Sequence, residues 1–177
     1  MERAPEDFEY IADFLSFNEQ ATLLDELRSL TYQHDVFRGQ TMKRGWVQFG
    51  YNYVSIGRRL EAAPPIPPFL QTIIQKALPY CPNNTEFTQC IVTNYPVGAG
   101  IGWHTDASCF DDCILGISLA SEARLQFKAN GSKQVSFEVK AAPGSLYIMQ
   151  GAARWNYEHQ IIPVRAERYS LTFRSVT

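Results

Sequence analysis

Arg168-Tyr169-Ser170-Leu171-Thr172-Phe173-Arg174, near the end of a 177-residue sequence, alternates strictly between apolar and polar side chains. Tyr169, Leu171 and Phe173 fall on one side and Arg168, Ser170, Thr172 and Arg174 on the other, which predicts a β-strand. The two arginines at the ends of the polar side are six residues apart, so their Cα atoms stand about 20 Å apart at roughly 3.3 Å per residue. That is too far for both to grip one carboxylate. It suits two long side chains converging on opposite ends of a short dianion, with Ser170 and Thr172 lining the floor between them. The competing reading is a surface strand that carries arginine for solubility.

Working back from this strand, short apolar runs separated by turn signals predict further strands over 87–95, 113–120, 123–128, 135–140, 145–149 and 160–162. Asn130-Gly131-Ser132, Pro143-Gly144 and Pro163 punctuate them. Strands at this spacing argue for a two-sheet sandwich or jelly roll. The N-terminal part reads differently. Residues 1–9 are acidic and expected to be loosely ordered. Ser16 and Glu19 form a capping box ahead of a helix with a Leu23, Leu24, Leu27 and Leu30 stripe. Pro64-Pro65-Ile66-Pro67-Pro68 then opens a second helix over 69–78, which Pro79 and Pro82 end. Between the helices, 31–56 reads as short aromatic strands, with two of them meeting at Gly50. The expectation is a single domain over 1–177, mainly β with N-terminal helices. Residues 1–86 would form an α/β cap on a jelly-roll core over 87–177.

A hydrophobic share of 45% and an aromatic share of 13% suit a strand-rich globular chain that buries a core without disulfides. The net charge of −2 gives no general basic footprint for nucleic acid, so any such contact must be local. Cys81, Cys90, Cys109 and Cys113 form no C-x-x-C pair and read as packed thiols of a reducing compartment. No apolar run is long enough to span a membrane, and residues 1–7 lack the apolar core of a signal peptide. The expectation is a soluble, monomeric, intracellular protein of the cytoplasm or nucleus.

Of the three histidines, His104 and His159 fall within the expected β core, while His34 reads as a surface residue. His104-Thr105-Asp106 puts an imidazole and a carboxylate on one face if the segment is a strand. His159 follows Asp106 by 53 residues and is expected to open a strand. Two histidines and a carboxylate on a β scaffold match the facial triad of non-heme Fe(II) oxygenases. H-x-D alone is common, and its bland reading is a core histidine beside a capping aspartate. That reading accounts for neither His159 nor the arginine strand. A zinc hydrolase also uses two histidines and a carboxylate but leaves the arginines without a role. A non-catalytic β-sandwich binding module would need neither set.

These features together make the sequence resemble the AlkB family of Fe(II)/2-oxoglutarate-dependent dioxygenases. The resemblance rests on residues 94–106, on Arg154-Trp155-Asn156-Tyr157-Glu158-His159 and on 168–174. With Phe49-Gly50-Tyr51-Asn52-Tyr53 in the family's N-terminal lid region, it covers nearly the whole chain. It implies a double-stranded β-helix fold and an iron site of His104, Asp106 and His159. Arg168 would hold the distal carboxylate of 2-oxoglutarate, Arg174 would sit nearer the iron-chelating end, and Tyr95 would hydrogen-bond the cosubstrate. With O2, such an enzyme hydroxylates an N-methyl group, which leaves as formaldehyde. The implied partner is an alkylated base in DNA or RNA. A modified tRNA nucleoside or a protein side chain is the alternative substrate.

The departures from the family pattern are specific. Thr93 and Ser170 stand where the family often has cosubstrate-facing asparagines, and Asn94 is displaced by one. Both replacements keep a hydrogen-bonding group. Ser108 stands where base-repair members often place an acid against a cationic lesion. Trp46, Tyr51 and Tyr53 fall in the lid region, where aromatics would stack on an extruded base, although as a bare pattern such residues read more often as core. Lys43, Arg44, Arg58 and Arg59 read as phosphate contacts or as solvated surface. Arg154 is expected to ion-pair with Asp111 or Asp112, and Cys109 and Cys113 to pack.

Overall fold

The computed structural model describes residues 4–54 and 57–176. Residues 1–3 of the expected loose start, and 55–56 at the end of the segment expected as aromatic strands, lie outside the described residues. In chain order the elements are β1 Phe8–Ile11, α1 Phe17–Arg28, β2 Gln33–Phe37, β3 Gln40–Phe49, β4 Tyr51–Val54, β5 Arg59–Ala62, α2 Pro68–Ala77, β6 Gln89–Tyr95, β7 Ile101–His104, β8 Ile114–Leu119, β9 Ala123–Ala129, β10 Phe137–Ala141, β11 Leu146–Met149, α3 Gly151–Trp155, β12 Tyr157–Ile161 and β13 Arg168–Arg174. A seven-stranded sheet in the order β1-β11-β8-β13-β6-β3-β2 faces a four-stranded sheet in the order β10-β9-β12-β7, with β4-β5 as a separate hairpin. The expected mainly β, jelly-roll architecture is the one observed.

Helix α1 starts as its sequence predicts. Ser16 Oγ accepts the Glu19 amide at 3.3 Å, and Glu19 Oε2 accepts the Ser16 amide at 2.7 Å. Leu23 and Leu27 are buried, with Leu24 and Leu30 packed against the same core. In α2, Pro68 takes the first turn, where its missing N–H costs nothing, and Leu70, Ile73, Ile74 and Ala77 form the buried stripe. Both helices cover the outer face of the large sheet. There they share a core with Leu115, Ile117, Leu171 and Phe173, each such side chain contributing about 1.5–3 kcal/mol on burial.

This layering settles the direction of β13. Its apolar side faces the helices, and its polar side faces the space between the two sheets rather than water. Arg168 is 0% exposed, and Ser170 and Arg174 are also buried.

The structure corrects several expectations. Phe8 and Glu9, expected in the loose start, instead open a strand that runs to Ile11: Phe8 pairs with Met149 and Ile11 with Leu146, and the Phe8 ring packs 5.1 Å from that of Phe127. The N-terminal part therefore supplies β1, β2 and β3 to the large sheet. The sequence 151–155 forms a short helix, and β12 spans 157–161, so His159 lies mid-strand instead of opening one. Gly50 does mark the junction of two strands. It has φ +77°, and a Cβ there would overlap the Thr88 carbonyl oxygen.

Candidate active site

Strand register assembles the floor. Ser170 of β13 lies opposite Thr93 of β6 on one side and Ser118 of β8 on the other, giving a cross-strand row of three hydroxyls. One step along, Thr172 lies opposite Gly116, itself opposite Tyr147. Gly116 is the close approach in this row, since a Cβ there would overlap the Tyr147 ring. Asn94 alternates to the other face and donates to Glu167 Oε1 at 3.2 Å, so the displaced asparagine does not reach the floor.

Arg168 ends this floor. Its Nε donates to Ser118 Oγ at 2.9 Å, and its guanidinium lies 5.0 Å from the Tyr95 ring centroid. Its Nη1 and Nη2 have no partner, and with Ser145 Oγ they are the buried side-chain atoms so left among the described residues. A buried guanidinium without an anion is costly. Two parallel free N–H groups match a carboxylate in bidentate geometry.

The facing sheet brings the histidines together. His104 and His159 are directly opposed across β7 and β12, with ring centroids 4.3 Å apart. His104 Nδ1 lies 2.8 Å from the Gly102 carbonyl, which can only accept. The proton is therefore on Nδ1, and the Nε2 lone pair is left for a ligand. β7 stops at His104, so Asp106 is delivered by a loop instead of by strand alternation. That loop is clamped by Arg154, which donates to the Asp106, Ala107 and Phe110 carbonyls at 3.2, 2.8 and 3.3 Å. The expected ion pair of Arg154 is thus replaced by backbone bonds. Asp112 instead accepts from Gly151 N and Trp155 Nε1 at 2.8 and 2.7 Å.

Asp106 Oδ2 stands 3.6 Å from His159 Nε2, and Oδ1 accepts from Arg174 Nη1 at 2.8 Å. Burial pushes the Asp106 carboxyl up, but Arg174 and the two histidines outweigh it and hold it below the usual carboxylate range. Burial, with His104 adding to it, lowers His159 to about 3. Two neutral imidazoles and an ionised carboxylate are the forms that bind a divalent metal, so the donor chemistry fits Fe(II). Among the described residues no three His, Cys, Asp or Glu side chains are grouped closely enough to hold a metal ion as they stand.

A cavity of about 540 Å³ lies over these groups. Thr93, Tyr95, Ser170, Arg174, His104, Asp106 and His159 line it, as do Trp46 and Tyr53. Tyr51 does not reach it and is 38% exposed. Ser108 lines an adjoining cleft of about 410 Å³ with Arg58, Arg154 and Trp155. Arg44 reaches the cavity, whereas Arg59 pairs with Glu61 at 2.7 Å. Several lining residues escape a motif-based reading: Tyr147, Gln48 and Asp35, whose Oδ1 accepts from Trp46 Nε1 at 3.1 Å. The inward alternation of Gln89, Ile91, Thr93 and Tyr95 in the expected strand over 87–95 is the signal that exposes Gln89, which bonds both Gln48 and Arg174. Tyr147, whose hydroxyl burial raises to about 12, carries no comparable signal.

The profile of the 2OG-Fe(II) oxygenase superfamily matches residues 7–174. The chain belongs to that superfamily. Its relatives place it in the AlkB family. It is 29% identical over 160 residues to the tRNA (carboxymethyluridine(34)-5-O)-methyltransferase alkbh8 of Xenopus tropicalis, covering 86% of this chain and 24% of that protein. It is 29% identical over 167 residues to the RNA demethylase ALKBH9B of Arabidopsis thaliana, covering 84% of this chain and 32% of that protein. The AlkB-family chain thus spans about a quarter to a third of these relatives. Its fold is like that of OsALKBH1, with a TM-score of 0.77 at 17% identity over 99% of both chains. A Pseudomonas putida prolyl-4-hydroxylase is also similar, with a TM-score of 0.66 at 15% identity over 97% of this chain and 93% of that one. This AlkB-family protein thus falls among the 2OG-Fe(II) oxygenases, a group whose chemistry uses Fe(II), 2-oxoglutarate and O2. Among the described residues no helix is long and apolar enough to cross a membrane.

Proposed function

We propose that this dioxygenase oxidatively demethylates an alkylated base in DNA or RNA, with 1–177 acting as one catalytic unit. Residues 1–86 would supply the substrate wall and 87–177 the catalytic core. The observation that carries this reading is the cavity itself. His104, Asp106 and His159 line it together with the aromatic residues Trp46 and Tyr53. An extruded base gains about 1–3 kcal/mol from each such stack.

In this reading His104, Asp106 and His159 hold Fe(II), which supplies O2 activation at the expense of 2-oxoglutarate decarboxylation to succinate and CO2. Arg168 uses its two unpartnered nitrogens for the distal carboxylate of 2-oxoglutarate, with Thr93, Tyr95 and Ser170 alongside. Arg174 keeps Asp106 ionised and aimed. Trp46 and Tyr53 hold the base so that its methyl group faces the histidines and water is excluded. A second substrate class, a modified tRNA nucleoside, is favoured by Ser108, which offers no acid to a cationic lesion and lines the adjoining cleft.

The test is to incubate the purified protein with Fe(II), 2-oxoglutarate and O2 against methylated DNA and RNA oligonucleotides and total tRNA. Formaldehyde in step with succinate supports demethylation. Succinate with a hydroxylated tRNA nucleoside and no formaldehyde favours the second class. Neither product with any nucleic acid sinks both, leaving a protein side chain as the substrate to pursue.

A further inference from the structure

A polar chain links Tyr53, in the cavity lining, to the Asp106 carboxylate. Gln48 leaves β3 and Gln89 opens β6, both pointing inward from the large sheet, at 9% and 0% exposure. Arg174 Nη1 donates to Asp106 Oδ1 at 2.8 Å, and Arg174 Nε donates to Gln89 Oε1 at 2.9 Å. Gln89 Nε2 donates to Gln48 Oε1 at 2.9 Å. The same Gln48 oxygen accepts the Tyr53 backbone N–H at 3.0 Å, and Gln48 Nε2 donates to Asn52 Oδ1 at 2.7 Å.

The polarity of this chain is forced. Arg174 can only donate, so Gln89 must turn its oxygen to it and its nitrogen to Gln48. Gln48 must then present oxygen to both Gln89 and Tyr53 N–H, leaving its nitrogen for Asn52. Neither amide can flip without breaking a bond on each side. Burying two primary amides is unfavourable unless they are satisfied, and apolar side chains would fill the space with less penalty. A parallel contact runs beside it: Phe110 meets the Tyr53 ring at 5.8 Å and the Arg174 guanidinium at 4.1 Å.

We propose that Gln48 and Gln89 are positioning residues that tie the Tyr53 wall to Arg174 and Asp106, so that substrate lying against Tyr53 sets the posture of the metal-binding carboxylate. The relay thereby holds back turnover of 2-oxoglutarate in the absence of substrate. This deepens the demethylase reading and rests on its assignment of Tyr53 to the substrate wall.

The test uses the whole chain. In metal-free protein without cosubstrate, exchange of the Tyr53 amide is followed by NMR in wild type, Gln48→Met and Gln89→Met. Gln48→Met removes the acceptor directly and is the control. Gln89→Met does not touch Tyr53, yet the relay requires about tenfold faster exchange there, the size of one hydrogen bond lost. In the loaded enzyme, Gln89→Met should raise the ratio of succinate formed to methyl groups removed, and Gln89→Asn, which retains the amide, should give an intermediate ratio. If Gln89→Met does not fold, Gln89→Asn serves for the exchange measurement. Unchanged Tyr53 exchange in the folded Gln89 variant overturns the relay, as does an unchanged succinate ratio beside faster exchange. Should wild type demethylate no nucleic acid, the exchange result and substrate-free succinate formation still decide the relay, so the two failures are distinguishable.

Discussion

Arg168 concentrates the cosubstrate question in one side chain. Its Nη1 and Nη2 are buried without partners, so 2-oxoglutarate should stabilise the wild type against heating by ligand linkage. Arg168→Lys keeps the charge but loses the two-donor fork. It should raise the KM for 2-oxoglutarate while leaving metal affinity intact, which calorimetric titration with Fe(II) under anaerobic conditions checks. An equal thermal shift in wild type and variant would show that the fork holds nothing. Asp106→Asn probes the other end. It should abolish Fe(II) binding and turnover, and it should also lower the melting temperature, because Arg174 loses the carboxylate at 2.8 Å and is left as an uncompensated buried charge.

Elements explain how these residues are held. The Ser16 and Glu19 capping box anchors α1 over the large sheet, and Ser16→Ala should cost about 1 kcal/mol, measured by urea denaturation. Lys76 also grips Glu19, at 2.6 Å. First through that hydrogen bond and then through Ser16, the Glu19 carboxyl falls to about 2. A depressed carboxyl contributes stability that is full above its ordinary value of 4.5 and is lost as pH falls through about 2. Within β8, Gly116 makes room for the Tyr147 ring. Gly116→Ala should cost about 1–3 kcal/mol by overpacking, and the displaced ring should weaken 2-oxoglutarate binding beyond what the thermal destabilisation alone predicts.

At the scale of the molecule, the cavity exists because two sheets and a hairpin meet. Trp46→Ala or Tyr53→Ala should raise the KM for a nucleic-acid substrate by the equivalent of roughly 1–3 kcal/mol, with substrate-free succinate formation retained in Trp46→Ala. Tyr53→Ala keeps its backbone bond to Gln48 but loses the Phe110 contact, so its succinate ratio is the more informative. The closed sandwich also sets an acid limit. His159 titrates near 3 when folded against an ordinary 6.5, so the unfolded chain binds the extra proton between those values. Stability of the metal-free protein should therefore fall as pH drops from about 6.5 toward 3, and a melting temperature flat across that window would contradict the burial of a neutral His159.

Alternation and capping are local, and they were legible in the sequence. The period of two in 168–174 announced β13 and its two faces, and Ser16-x-x-Glu19 announced α1. His104, Asp106 and His159 point to an oxygenase only in company with the two arginines of 168–174, since the same triad also suits a zinc hydrolase. Local pattern could not say which face of β13 looks inward, because a polar face usually meets water; the helices took the apolar side and left the arginines between the sheets. Nor could it show Asp106 leaving the strand, since that depends on Arg154 clamping carbonyls 44–48 residues away. Phe8–Ile11 became a strand only because the β11 edge was there to pair with it. The Gln48–Gln89–Arg174 chain joins side chains 41 and 85 residues apart, and only the closing of β3, β6 and β13 into one sheet brought them within hydrogen-bond distance.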